Sequence, residues 1–445
     1  MKHTKKILSG ALLITALPAW AQETSAVAAE PVPYTFMEAI KAGTPMTSFR
    51  LRYEDVDQDP SSTFKHDAHA LTMRSLIGWQ TAAYNDFSVG VQIINVSKLD
   101  DDFNDKSSGV NQAGRSSYPA VADPDFTNIN QLYLDWTGIR DTKVRLGRQS
   151  VKLDNVRFIG NVEFRQVMQV FDGVSVENKT IPNVDLYGAF FTRNRNINTD
   201  LKPDNTGILH AAYHLSPTET LTGYSYFYNQ QDVVVASSLS SKTFGARLDG
   251  AHKVDDHWKL LYTAEYAKQD ALGDTNERTV AQGQIDAYYY KLGGGAAYDN
   301  FSLRADQELL SSNGGKYAFQ TPLGTNHLFQ GWTDKFLTTP NQGLQDTFIT
   351  AGYKYGDLAL YSEYHWFKAD QDFAEVGGGT GDDFGQELDF SVAYTFNKNI
   401  LAKLEYGKYS EGDQRAVAAT GGVASATANR IRDTDKVWLT AMYTF

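Results

Sequence analysis

The sequence predicts an all-β fold: a transmembrane antiparallel β-barrel of about 18 strands, with short periplasmic turns and long extracellular loops. Three observations predict it. Val437 to Phe445 alternate apolar and mixed side chains and stop on Phe, with Tyr443 two places before it. Similar alternation recurs along the chain in segments near the roughly 9 to 11 residues that a tilted strand needs to cross a membrane. Composition agrees, because 25 Tyr, 24 Phe and 36 Gly stand against 12 Pro at a polar mean hydropathy of −0.41. Strands that are apolar on one face only average to such a value.

In chain order, Lys2, Lys5 and Lys6 precede an apolar run from Ile7 to Leu17, and Ala19-Trp20-Ala21 fits a small-x-small cleavage site. Residues 1–21 therefore read as a secretory signal peptide. No later segment approaches the roughly 18 uninterrupted apolar residues of a membrane helix. Residues 22–45 form an Ala-rich and Pro-rich periplasmic lead, in which Phe36 to Ala42 can make one or two helical turns, and residues 46–445 form the barrel. Cys is absent, which removes disulfides and Cys-metal sites. Cleavage takes three lysines and no acid from the formal −12, leaving −15. Nucleic acid is not an expected partner of so acidic a chain.

Alternating segments lie near 47–56, 69–80, 87–97, 127–137, 142–149, 169–177, 183–193, 206–215 and 219–229. They continue near 241–252, 257–268, 285–298, 301–311, 346–355, 357–369, 384–396, 399–410 and 434–445. Gaps between them alternate in length. Turns such as Gly138 to Asp141, Ser216 to Thr218, Asp299-Asn300, Gly356 and Asn397-Lys398 are short. Ser97 to Phe126, Asn194 to Asn205, Ser312 to Gln345, Asp370 to Asp383 and Glu411 to Asp433 are long and polar. Short turns belong to the periplasm and long loops to the outside.

Alternation also assigns faces. Val437, Leu439, Ala441, Tyr443 and Phe445 form a lipid stripe, and Leu388, Phe390, Val392, Tyr394 and Phe396 another. Glu387, Asp389 and Ser391 then face the lumen, as do Glu363 and His365 opposite Leu360, Tyr364 and Trp366. Gly293-Gly294-Gly295 within one strand leaves room for an element packed against the wall.

Charges facing water carry the chemistry of a pore. From Arg140 to Arg165 seven basic residues (Arg140, Lys143, Arg145, Arg148, Lys152, Arg157, Arg165) meet three acids (Asp141, Asp154, Glu163), a local +4 in an acidic chain. Further inward candidates are Arg50, Arg52, Arg74, Arg193, Arg195, Arg247 and Arg304. Arg binds carboxylate or phosphate in two-pronged fashion, so a ladder of them suits an anionic solute. Equally, these residues can brace a polar interior by pairing with Asp172, Asp185, Asp306, Glu308 and Glu405, and a porin can do both at once.

Three stretches resemble the alginate-export family of outer-membrane porins. They are Phe49-Arg50-Leu51-Arg52-Tyr53-Glu54, Val144-Arg145-Leu146-Gly147-Arg148-Gln149, and Glu163-Phe164-Arg165-Gln166 leading to Phe171-Asp172-Gly173. A looser likeness extends to Asn326-His327 and Asp334-Lys335-Phe336. The resemblance implies an 18-stranded barrel whose Arg-rich lumen conducts a polyanionic sugar or related solutes. It also implies that Arg145, Arg148 and Arg165 line the pore, with Asp172 as their partner.

Other motifs carry less. His210 and His214 lie four strand residues apart, about 13 Å, too far to share a metal. Asp100 to Asp105 lacks the Gly and Glu of an EF-hand, since Asp105 and Asn111 occupy those places. Gly377 to Gly381 lacks the Lys and Ser/Thr of a phosphate loop. No Gly-x-Ser-x-Gly elbow appears, although scattered histidines leave a barrel lipase or protease as an alternative, and an adhesin or structural barrel as another. The expectation is a passive channel in the outer membrane, narrowed by inward-folded loops, for small or polymeric anionic solutes that are carboxylated or sugar-like, a uronate polysaccharide among them. Lipopolysaccharide, outer-membrane lipid and the barrel-assembly machinery are the expected partners, and no cofactor or metal is implied.

Overall fold

Strand pairing runs unbroken from the first long strand to the last and then closes on itself. The structure, a computed structural model, describes residues 35–60, 65–106, 115–375, 378–413 and 431–445. The leader at 1–21, most of the lead, Asn111 and Gly377 lie outside the described residues. The barrel strands are β1 (Ser48–Gln58), β2 (Ala68–Gln80), β3 (Phe87–Asp102), β4 (Phe126–Trp136), β5 (Thr142–Gln149) and β6 (Val170–Asn178). Then come β7 (Val184–Arg195), β8 (Asn205–Ser216), β9 (Glu219–Asn229), β10 (Ser241–Lys253), β11 (Trp258–Ala271) and β12 (Asp286–Tyr298). The last six are β13 (Phe301–Leu310), β14 (Leu344–Tyr355), β15 (Leu358–Ala374), β16 (Thr380–Asn397), β17 (Ile400–Ser410) and β18 (Thr434–Thr444). Each pairs antiparallel with its neighbours, and β18 closes on β1 with Leu439 opposite Tyr53 and Thr440 opposite Arg52. The result is an 18-stranded closed barrel, which leaves no exposed sheet edge in lipid.

Alternation sets the two faces as the sequence predicts. Leu439, Tyr443 and Phe445 are exposed on the outer face, whereas Lys436, Trp438 and Thr440 between them are buried inward. Leu388, Phe390 and Tyr394 likewise stand outside, with Glu387, Asp389 and Ser391 buried. Exposed Trp79, Phe87, Trp258, Tyr298, Phe301 and Phe445 lie near the periplasmic turns, where an aromatic girdle belongs.

Strands β3, β15 and β16 run four or five residues further outward than alternation predicts. Their outer ends, such as Asp100-Asp101-Asp102 and Asp370-Gln371-Asp372, are polar on both faces, so the pattern stops where the ladder continues above the membrane. Strand β5 is short, at 8 residues, because the chain after Gln149 turns into the barrel. Below the wall, Phe36–Lys41 forms the helical turn expected from the sequence, capped by Thr35 and Glu38. Trp79 Nε1 donates to Ile40 O at 2.8 Å and ties that turn to the foot of β2.

Two loops, 150–169 and 311–343, fold inward and build an apolar core inside the barrel. Phe158 of the first packs on Tyr224, Tyr289 and on Phe319 of the second, at centroid distances of 5.3, 5.3 and 5.9 Å. Phe336 of the second packs on Phe367 at 4.7 Å. The loops also grip each other through Gly160 N to Leu323 O at 2.9 Å and Thr325 N to Val156 O at 2.9 Å. Val156 and Val162 hold φ near +60° and +52°, a region that β-branched residues rarely adopt and that costs on the order of 1–3 kcal/mol each. The interlock between the loops holds this strain in place.

Gly293 and Gly295 serve a different element from the one the sequence suggests. A Cβ at Gly293 would stand 1.9 Å from Asp306 Oδ1, and one at Gly295 would stand 2.4 Å from Arg304 Cβ. The glycines therefore make room for the Arg304–Asp306 pair of the neighbouring strand.

Candidate functional site: the lumen constriction

Alternation turns Arg50, Arg52 and Glu54 of β1 toward the lumen, where they meet loop 150–169. Arg50 donates to Glu163 O at 2.8 Å, Arg165 O at 2.6 Å and Gln166 Oε1 at 2.9 Å. Arg52 donates to Phe164 O at 2.5 Å and lies over the Phe164 ring at 4.3 Å. Arg165 in turn reaches back to Glu54 at 2.9 Å and across to Asp334 of loop 311–343 at 2.9 Å. Gln166 N donates to Asp123 Oδ1 at 2.7 Å, and Gln166 Nε2 to Thr72 Oγ1 at 2.8 Å. Three of the stretches singled out in the sequence, 49–54, 163–166 and 326–336, thus form one contact network that pins the constriction loop to the β1–β2 wall. Charge-assisted hydrogen bonds to backbone carbonyls fix a loop more tightly than neutral ones.

The local excess of positive charge at 140–165 disappears in three dimensions. Arg140 pairs with Asp141, Lys143 with Glu177, Arg145 with Asp135, Arg148 with Asp172, Lys152 with Glu163, Arg157 with Glu308 and Arg165 with Glu54. Among them, Arg157–Glu308 is fully buried at 2.8 Å. Arg304 pairs with Asp306 at 2.6 Å, and Arg247 with Asp249. Asp185 meets Lys179 and His214, while Glu405 meets Lys403, so these two acids do not serve arginines directly.

Arg145 faces the lumen, bidentate to Asp135 at 2.6 and 2.7 Å and stacked 3.6 Å over Tyr133. Arg148, Asp172 and Arg193 do not. They sit in one register row with Leu132, a lipid-facing residue, and so share the outer face. A bulge between Asp172 and Gly173 shifts β7 by one residue, which turns Arg193 away from the side that strict alternation assigns. Arg148 and Asp172 do pair, at 2.7 and 2.9 Å. Arg148 also donates to Ile129 O at 3.3 Å, and Arg195 donates to the same carbonyl at 3.1 Å. Together they satisfy the upper edge of β4, which β5 is too short to pair.

On the neighbouring strands β1 and β2, the arginines Arg50, Arg52 and Arg74 have no ion pair among the described residues. Arg74 stands directly opposite Arg50 in the ladder, and its Nε and Nη1 have no hydrogen-bond partner. Beside them Glu163 on the constriction loop is open to the lumen. Enclosure in the barrel pushes its carboxyl up, but Lys152, then Arg74 and Arg50, outweigh that and hold it down at about 2. The site is thus a cluster of buried guanidinium groups on adjacent strands, packed beneath the constriction loop. Asp123 and the carbonyl anchors escaped sequence reasoning, because each acts across a long sequence separation, and Asp135, across the turn from Arg145, carried no pattern of its own. A loop stretch with a charged-aromatic-charged pattern, as at 163–165, was the one available signal.

The profile of the Alginate export family matches residues 46–307, more than half of the chain. No curated protein matches it. Among solved structures, Acinetobacter baumannii OccAB2 superposes with TM-score 0.68 at 16% identity over 92% of this chain and 98% of that one. Pseudomonas aeruginosa OccK9 (OpdG) gives 0.65 at 15% over 91% and 98%. Pseudomonas aeruginosa OpdK, solved with vanillate, gives 0.63 at 13% over 89% and 97%. These likenesses show a shared barrel architecture. The protein is an outer-membrane channel, and it belongs to the alginate export family.

Proposed function

We propose that the channel admits small carboxylated anions, drawn to the constriction by Arg50, Arg52 and Arg74. One observation carries this reading: three lumen-side guanidinium groups lie together with no ion pair among the described residues. An entering anion trades part of its hydration for their field, and a cation meets a barrier there. The carboxylate solute of OpdK, vanillate, supports the same class. A sugar acid fits equally, and an oligomeric uronate is the second reading, favoured by the family match. Loops 150–169 and 311–343 fill much of the interior, which favours the smaller solute. Lipopolysaccharide at the outer face and the assembly machinery during insertion complete the proposed partners, with cleavage after Ala21 before export. Liposome swelling tests the reading. Glucuronate should enter faster than glucose, and equal rates would refute an anion site.

A further inference from the structure

On the lumen face of β14, β15 and β16, away from the arginine cluster, acids outnumber cations. Asp346, Glu363, Glu387 and Asp389 are buried together, and among the described residues none has a Lys or Arg within 4.0 Å. Within 4.0 Å of three of them, Asp346, Glu363 and Asp389, lies His365, itself 2% exposed. Buried carboxylates need a counter-charge, and one imidazole is too little for four.

The geometry around His365 shows where the missing charge sits. Asp346 brackets Nδ1 with both oxygens, at 2.9 and 3.0 Å, which places the proton on Nδ1 and aims the Nε2 lone pair the other way. Nε2 looks at Glu363 Oε2 at 3.5 Å and Asp389 Oδ2 at 3.7 Å, and it has no hydrogen-bond partner. Asp389 Oδ1 is also buried without a partner. These separations exceed the roughly 2.7–3.2 Å of an N–H···O bond. They approach the edge of a tetrahedron whose bonds are about 2.0–2.2 Å, on the order of 3.4 Å, the lengths zinc forms with imidazole and carboxylate. The other Glu363 oxygen is already held by Thr350 at 2.9 Å and by Tyr361, so Oε2 is left for the ion.

We propose that Glu363, His365 and Asp389 bind a zinc ion, with Asp346 as the residue that orients the imidazole. A carboxylate behind a ligating histidine is the recurrent way proteins fix ring orientation at such sites. Trp332 N donates to Asp389 at 3.2 Å, and Thr333 N to Glu387 at 2.6 Å. The ion therefore offsets half the charge of the patch on which loop 311–343 is seated and clamps that loop to the wall.

Zinc chloride titration of the purified full-length barrel in detergent, after chelator stripping, tests this directly. Wild type should take up one zinc per chain, and cobalt(II) in its place should give the intense visible bands of a tetrahedral centre. Glu363→Gln and His365→Gln should lose the bound zinc, while Asp346→Asn should bind it about 10- to 100-fold more weakly. Heat-modifiable gel migration identifies the variants that have folded. Stripped wild type that takes up no zinc would overturn the proposal, as would folded Glu363→Gln or His365→Gln that holds it as tightly as wild type. Equal competition by magnesium would overturn it too, since that ion has no preference for an imidazole donor.

Discussion

Arg157 and Glu308 sit 1% exposed and 2.8 Å apart, 151 residues distant in sequence. Replacing Arg157 by Met leaves a buried carboxylate without its counter-charge, held only by Tyr289 and Gln330, which costs on the order of 3–5 kcal/mol. The temperature at which the folded gel band converts to the unfolded one should fall markedly, and an unchanged temperature would show that Glu308 finds another partner. Arg74 is the contrasting case, since its Nε and Nη1 hold no partner and its loss releases no anchor. Arg74→Gln should lower anion preference while leaving single-channel conductance close to wild type. At this scale the sequence was least legible. Basic residues were visible, but their partners were not, because Glu177 and Asp172 lie on the next strand beyond loop 150–169 and Glu308 lies 151 residues from Arg157. A count over 140–165 cannot see them, so a neutral, cross-braced stretch read as a basic one.

Loop 150–169 is an element held by other elements. Arg50→Gln with Arg52→Gln removes the donors to Glu163, Phe164 and Arg165 carbonyls and should free the loop from the β1–β2 wall. Conductance should then rise and become noisier, and unchanged conductance would mean that the contacts of Phe158 and Arg165 suffice. Loop 311–343 carries a pH dependence of its own. Burial, then Lys436, lowers Lys335 to about 7, against the pull of Glu387, Asp334 and Asp433. Between that value and the ordinary lysine value the unfolded chain holds a proton that the folded chain releases, so folding gains as pH rises through the window. Wild type should therefore resist heat better at pH 9 than at pH 6, and Lys335→Met should flatten that difference. An unaltered profile in the variant would assign the dependence to other groups. Strand positions were legible because lipid on one side and water on the other impose a period of two. The paths of these loops were not, since a loop that folds into a barrel has no period to follow. Their interlocking aromatic residues, Phe158, Phe319 and Phe336, carry no local sign of the core they share.

For the molecule as a whole, Tyr53, Leu439 and Leu404 lie in one outward row across the closure between β17, β18 and β1. Asp at Leu439 would face lipid there, at a cost of about 2–4 kcal/mol near mid-membrane. The variant should reach the outer membrane in reduced amount, and normal levels would mean that the faces are reversed. Closure, strand number and faces were all legible, because each is set by a repeated local signal. The balance of charge in the lumen was not, being a property of the closed ring. That balance is also what the account rests on: paired charges brace the wall, and Arg50, Arg52 and Arg74 remain to attract anions. Reversal potential in planar bilayers across a potassium chloride gradient measures it most directly. The account predicts preference for chloride, enlarged at low salt, where the screening length grows to roughly 30 Å at 0.01 M, and reduced in Arg74→Gln. A cation-selective wild type, or a folded barrel that does not conduct, would contradict it.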